Sequence, residues 1–157
     1  MKTLVIFYSR TGRTKSIAKI LSEKLNCDFE EIIDKKKRSG LKGFMRGGLA
    51  ARKGELTEIK PLVKNPDNYD VLLIGTPNWG SKIPPAIRTF LVENKNKLKK
   101  VAFFCTQGGE GDGTEVFDLM SNICEKNPIN SLKLTTKMIN DGSHHEKIAV
   151  FINQLEN

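Results

Sequence analysis

Short apolar runs alternate with amphipathic segments along the 157 residues of this chain. The apolar runs predict strands, and apolar residues spaced three and four apart predict helices between them. The predicted strands cover residues 3–8, 27–34, 71–74, 101–105 and 131–139. The predicted helices cover residues 13–26, 84–93, 114–125 and 143–155, with a shorter one near 41–52 in a glycine-rich stretch from 35 to 60. This alternation predicts an α/β fold, a doubly wound five-stranded parallel sheet with helices on both faces.

The predicted topology indicates where a ligand would bind. In an open parallel sheet, ligands bind beyond the carboxyl ends of the strands, at the point where the strand order reverses. The loops that follow the first, third and fourth strands are therefore the candidate site. They contain residues 9–14, 75–85 and 106–113.

The first loop has the composition of a phosphate-binding turn. It leads from a buried strand into a helix, whose N-terminus favours an anion. Gly12 allows the backbone to curl around a phosphate, while hydroxyls donate hydrogen bonds and arginines add charge-assisted contacts. The predicted cofactor-binding residues here are Ser9, Arg10, Thr11, Gly12, Arg13 and Thr14.

Other phosphate loops are excluded by the residues of this turn. Residues 9–14 lack the Gly-Lys-Ser/Thr ending of a nucleoside-triphosphate loop and the three glycines of a dinucleotide fingerprint. Hydroxyls without a metal ligand favour a terminal monophosphate held without magnesium. The alternative is that these hydroxyls only form a turn and cap the helix.

The second and third loops have the composition expected around a flat ring. The second contains the only tryptophan of the chain, and the third has four glycines between residues 108 and 113, which permit close backbone approach. Alternatively, the tryptophan packs over the sheet edge and the glycines form a flexible turn. The predicted cofactor-binding residues of the two loops are Thr76, Pro77, Asn78, Trp79, Gly80, Thr106, Gln107, Gly108, Gly109 and Asp112. A phosphate cradle, an aromatic wall and a wall of backbone amides together suit flavin mononucleotide (FMN).

The chain resembles the flavodoxin family over nearly its whole length. The family's opening motif, Ser/Thr-x-Thr-Gly-x-Thr, is matched by residues 9–14, and residues 75–84 and 105–109 resemble its second and third flavin loops. The resemblance implies FMN bound non-covalently, with its phosphate at residues 9–14 and its ring between the other two loops. We further expect a peptide within residues 78–81 to reorient and accept the proton of flavin N5, because Gly80 makes the rotation inexpensive.

The net charge of the chain is positive, whereas the electron carriers of the family are usually acidic. The net charge is +8, and residues 35–53 contain eight lysines and arginines without an acid. This basic segment is either solvated surface or a contact for an anionic ligand or an acidic partner. Nucleic acid is not favoured, because no aromatic residues alternate with the basic ones as stacking platforms.

Two functions remain open at this point. The first is an electron-transfer protein that exchanges electrons with redox partner proteins. The second is an NAD(P)H-dependent FMN oxidoreductase acting on quinones or similar acceptors, which would use the basic segment to bind the anionic dinucleotide. No residue stands out as a catalytic acid or base, but hydride transfer does not require one, and whether the chain is an enzyme is undecided.

Length and composition set the remaining expectations. We expect a single domain over residues 1–157, because this length is typical of one domain. We expect no metal site, because the three cysteines form no C-x-x-C pair. The absence of a long apolar run predicts a cytoplasmic protein without a membrane segment, and its oligomeric state, monomer or dimer, stays open.

Overall fold

The computed structural model of the chain describes residues 1–156, in which five parallel strands form one sheet in the order β2-β1-β3-β4-β5. The strands are β1 (Thr3–Phe7), β2 (Asp28–Glu31), β3 (Val71–Pro77), β4 (Lys100–Gln107) and β5 (Ser131–Thr135). The helices are α1 (Arg13–Leu25), α2 (Gly40–Lys53), α3 (Pro85–Asn94), α4 (Thr114–Cys124), α5 (Thr136–Asp141) and α6 (His144–Glu156). The predicted five-stranded, doubly wound parallel sheet is confirmed.

Alternate side chains of the central strands supply two separate apolar cores. On one face, Leu72 and Phe103 pack in a cluster with Phe90 of α3. On the other face, Leu73 lies in a cluster with Ile17 of α1 and with residues of α6. Burial on both faces explains why β3 and β4 are continuous apolar runs rather than alternating ones.

The second strand is shorter than predicted. Pairing of β2 with β1 ends at Phe7 and Glu31, so the expected strand over residues 27–34 stops early. The chain beyond it forms an isolated antiparallel bridge between Asp34 and Ile59. Because β2 is an edge strand with only one neighbour, its continuation is free to pair with the returning chain instead.

The prediction of a strand over residues 131–139 is wrong in its second half. The strand ends at Thr135, and Thr136–Asp141 forms α5. The hydroxyl oxygen of Thr135 accepts a hydrogen bond from the backbone N–H of Met138 at 3.3 Å. A side-chain N-cap of this kind starts a helix where the apolar pattern alone suggests that the strand continues.

The short helix predicted near residues 41–52 is confirmed as α2. Two of its glycines, Gly43 and Gly47, are buried and lie on the inner face of the helix. A Cβ at Gly43 would lie 2.4 Å from the backbone carbon of Arg38, so only glycine permits this approach. In the described residues, 1–156, none of the helices is long and apolar enough to cross a membrane.

Candidate functional site

The three predicted loops lie at the carboxyl ends of three neighbouring strands, β1, β3 and β4. The reversal of strand order falls between β1 and β3, because β2 continues the sheet outward from β1. This arrangement brings residues 9–14, 78–84 and 108–113 to one edge of the sheet. It is the location that the topology predicts for a ligand.

The first loop forms a tight turn that ends at the N-terminus of α1. Gly12 is the N-cap residue, with φ +95°, a conformation that L side chains rarely adopt. Its N–H donates to the hydroxyl oxygen of Ser9 at 3.0 Å, which leaves the Ser9 proton available to a ligand. Thr11 and Arg13 are exposed. Because glycine carries no capping side chain, the first amides of α1 suit an anion.

Thr14, at the end of the first loop, contacts the end of β4 just before the third loop. Its hydroxyl lies 2.8 Å from the hydroxyl of Thr106, and both residues are buried. One hydroxyl donates to the other, so the pair satisfies itself and retains one proton that can be donated to a ligand. The sequence predicts Thr14 as a direct phosphate donor, and the structure adds a second role in joining β4 to α1.

The second loop contains a two-residue reverse turn at its tip. The backbones of Trp79 and Lys82 exchange two hydrogen bonds, of 3.0 and 3.2 Å. Gly80 and Ser81 between them have φ +61° and +64°, as a type I′ turn requires. The side-chain oxygen of Asn78 accepts from the N–H of Ser81 at 2.8 Å, so any rotation of that peptide must first break this bond.

Gln107 joins the second loop to the third. Its side-chain oxygen accepts from the amide of Asn78 at 3.0 Å. Its amide nitrogen donates to the carbonyl oxygens of Gly109 and Gly111, at 2.9 and 2.5 Å. Gln107 is 7% exposed, so these bonds compete with little water. The Gln107 side chain thus holds the two loop backbones at a set separation, and the cofactor contact that the sequence predicts for it stays a prediction.

Two further predicted residues, Thr76 and Asp112, form hydrogen bonds within the protein. Thr76 is fully buried, and its hydroxyl donates to the carbonyl of Pro77 at 2.9 Å. Asp112 accepts from the N–H and the hydroxyl of Thr114, at 3.0 and 2.7 Å, and these bonds lower the pKa of its carboxyl. Asp112, which precedes the N-cap Gly113, therefore binds the first residue of α4, and a direct cofactor contact by it stays a prediction.

Trp79 lies between Tyr8 and α2. Its ring meets the Tyr8 ring edge to face, with centroids 5.9 Å apart. A Cβ at Gly47 of α2 would lie 3.2 Å from Cζ3 of Trp79, so the helix packs closely against the indole. Trp79 nevertheless stays half-buried. Part of the indole is thus fixed by the protein, and part remains open to a ligand.

A buried ion pair between Arg38 and Asp34 lies against the inner face of α2. Nε of Arg38 lies 3.0 Å from the carboxylate of Asp34, and both side chains are almost fully buried. The second oxygen of Asp34 accepts from the hydroxyl of Thr57 and the N–H of Lys36, each at 2.8 Å. These bonds satisfy the carboxylate, as a buried charge requires. The apolar pattern of the sequence carries no indication of this network.

Two titratable groups near the site are held neutral. Burial, with the nearby Asp34 charge, raises the pKa of Tyr8 to about 12. Burial also raises the pKa of the Cys105 thiol to about 12. The thiolate is the reactive form of cysteine, so Cys105 is unsuited to nucleophilic chemistry at neutral pH.

The three loops leave room for a ligand beside their backbones. A Cβ built on Gly12, Gly80, Gly108 or Gly109 would meet no other atom within 4 Å. One open glycine lies in the first loop, one in the second and two in the third. Over residues 1–156, no cluster of three or more histidine, cysteine or acidic side chains is placed to bind a metal ion. The site therefore fits a phosphate-bearing ring held by backbone and hydroxyl groups.

Comparison with known proteins gives a family match and a set of similar solved structures. Residues 2–155 match the model of a family described as flavodoxin. No protein of curated function matches the chain significantly.

Three solved structures share the fold. A flavoprotein from Lactobacillus acidophilus NCFM, in complex with FMN, is 24% identical, with TM-score 0.74, covering 90% of this chain and 98% of that one. A proposed flavoprotein from Bacteroides eggerthii is 22% identical, with TM-score 0.77 and coverages of 96% and 98%. Oxidised flavodoxin 1 from Bacillus cereus is 16% identical, with TM-score 0.60 and coverages of 100% and 99%.

Proposed function

This chain belongs to the flavodoxin family, and on that premise we propose that it binds FMN at the three loops and transfers electrons. The family resemblance expected from the sequence is confirmed, and FMN is the cofactor that this membership implies. The observation that carries the proposal is the convergence of the N-terminus of α1, the half-buried Trp79 and the open glycines on one sheet edge.

The first loop has the donors that a terminal phosphate needs. The Ser9 hydroxyl proton, the first amides of α1 and the exposed Arg13 would bind its oxygens. Cationic side chains and a helix N-terminus both favour the dianion. The phosphate would thus be bound without a metal ion.

The second and third loops would hold the flavin ring. FMN supplies the redox chemistry when bound, and the protein supplies binding, orientation and electrostatics. Trp79 offers an aromatic face, while Gly108 and Gly109 offer backbone amides beside open space. Gln107 keeps these two walls at a set separation. Reorientation of the backbone turn at Gly80 and Ser81 stays a prediction, and it would require breaking the hydrogen bond from the Ser81 N–H to the Asn78 side chain.

The alternative function, an NAD(P)H-dependent FMN oxidoreductase, is favoured by one observation. Within residues 1–156, six of the eight cations between residues 35 and 53 have no ion-pair partner. The two exceptions are Lys35, paired with Glu58, and Arg38, paired with Asp34. Unpaired cations near the loops would attract the phosphates of a dinucleotide. We rank the carrier first, because within residues 1–156 no segment outside the sheet and its helices is large enough to form a separate nicotinamide site.

An anaerobic titration of the FMN-loaded protein distinguishes the two functions. The flavin absorbance is followed while NADH, NADPH or dithionite is added. Reduction by dithionite but not by either nucleotide supports a carrier. Rapid reduction by a nucleotide, followed by turnover when a quinone is added, supports the reductase. A folded chain that takes up no FMN contradicts both.

A further inference from the structure

We propose that the outer face of α2, with the recess beside it, is the docking surface for a redox partner protein whose apolar contact is ringed by carboxylates. The docking surface consists of the exposed apolar side chains of α2, the adjoining recess and the basic side chains around them. This inference rests on the proposed electron-transfer function, since it names the partner of that site.

The outer face of α2 is apolar although it faces solvent. Leu41, Phe44, Met45 and Leu49 are 76%, 55%, 64% and 52% exposed. The opposite face of the helix packs inward through small residues such as Gly47. Large apolar side chains grouped on one exposed face are typical of interaction sites rather than of ordinary surface.

A recess of about 690 Å³ is lined by the outer face of α2 and by the second loop, beside the contact between Gly47 and Trp79. Phe44 and Leu49 line one side of it, and Trp79 and Gly80 line the other. The recess therefore extends the apolar face of α2 to the residues that would hold the flavin ring. A side chain inserted there would bring its own protein close to the redox centre.

Basic side chains surround this apolar surface. Lys42, Arg46 and Lys53 form one stripe along α2, while Arg52 and Lys82 line the recess. Within residues 1–156, none of these five forms an ion pair. Charge complementarity requires an occupant whose rim is acidic.

The shape and charge of the surface favour a protein partner over two other occupants. A second copy would bring the same cations against each other, because a two-fold interface pairs like patches. An anionic bilayer matches the charge and can receive the apolar side chains of α2, but it offers no group shaped to fill the recess. A protein with a protruding apolar side chain fills the recess, and its carboxylates meet the rim.

The test uses the FMN-loaded chain and an acidic [2Fe–2S] ferredoxin as the probe. Trp79 is the only tryptophan, so its indole N–H gives a single NMR cross-peak located at the recess. Saturable binding should shift or broaden this cross-peak and should weaken about tenfold between ~20 mM and ~200 mM salt. A basic cytochrome c should leave the cross-peak unchanged.

Matched variants locate the contact. Leu49→Gln should weaken binding about fivefold, and Arg46→Glu about tenfold. Val150→Gln and Lys147→Glu make the same changes on exposed positions of α6 and should stay within about twofold of the unmodified chain. FMN content is measured for each variant, so loss of cofactor is not mistaken for loss of docking.

Four outcomes would overturn the proposal. They are absence of saturable binding, equal losses in the α2 and α6 variants, binding of anionic phospholipid vesicles in place of ferredoxin, and self-association that Leu49→Gln abolishes. The proposed function fails separately. If FMN is not taken up but ferredoxin still perturbs the Trp79 cross-peak, the proposed docking surface is supported and the proposed electron-transfer function is contradicted.

Discussion

Replacing Gln107 by leucine tests whether the second and third loops must be tied together to bind the cofactor. The substitution keeps a similar side-chain size but removes the hydrogen bond from Asn78 and the two to the carbonyls of Gly109 and Gly111. It also removes a weak bond from the Cys105 thiol at 3.9 Å. A net hydrogen bond contributes about 1 kcal/mol to stability. The two glycine carbonyls lie in an exposed loop and regain water, so the net loss is smaller than the sum.

We expect Gln107→Leu to lower the free energy of unfolding by about 1–2 kcal/mol. We also expect FMN to bind about tenfold more weakly, which corresponds to about 1.4 kcal/mol, because the freed loops must be ordered again when the ring enters. Urea denaturation of the cofactor-free chain measures the first quantity. Titration of the same protein with FMN, followed by flavin fluorescence, measures the second.

Gln154→Leu is the matched control for this substitution. Gln154 lies on α6 and accepts one hydrogen bond from Asn130 at 3.0 Å, away from the three loops. Gln154→Leu should therefore leave the FMN affinity unchanged. If Gln107→Leu also bound FMN with the affinity of the unmodified chain, the idea that Gln107 positions the two loops would be refuted.

Three further predictions concern the first loop and its surroundings. Thr14→Val leaves the buried Thr106 hydroxyl without its partner, so the free energy of unfolding should fall by about 1–2 kcal/mol and FMN should bind more weakly; unchanged urea denaturation would argue against the hydroxyl pair. Gly12→Ala places a Cβ at φ +95° and should cost about 1 kcal/mol of stability, with a further loss of FMN affinity; an alanine variant with full affinity would mean that the phosphate does not approach Gly12. The pKa of Tyr8 is raised from 10.0 to about 12, so its contribution to stability is complete below pH 10 and is lost as the pH rises toward 12. Urea denaturation between pH 9 and pH 12 should therefore show a smaller fall in the free energy of unfolding for Tyr8→Phe than for the unmodified chain. An equal fall in both would contradict the raised pKa of Tyr8.

Much of the fold could be predicted because the relevant patterns are local. The continuous apolar runs at 71–74 and 101–105 indicate strands buried on both faces, and both lie in the centre of the sheet. The error at residues 136–139 has a local cause too, since the hydroxyl cap of Thr135 competes with an apolar pattern that continues through Met138 and Ile139. A pattern of apolar positions contains no information about such a cap.

The location of the candidate site could be predicted from topology, but the contacts within it could not. The hydroxyls of Thr14 and Thr106 meet although they are 92 residues apart in the chain. The packing of Gly47 against Trp79 likewise depends on how a glycine-rich helix folds back over the second loop. Contacts of this kind follow from the tertiary arrangement, and single residue types do not reveal them.

The uptake of FMN by the folded, cofactor-free chain is the measurement that tests the central claim most directly. Titration followed by flavin fluorescence should show saturable quenching with one FMN per chain, and weaker binding by Gly12→Ala and Gln107→Leu. The same titration with riboflavin, which lacks the phosphate, should show much weaker binding if the first loop holds the phosphate. A folded chain that neither quenches nor retains FMN would contradict the assignment of all three loops.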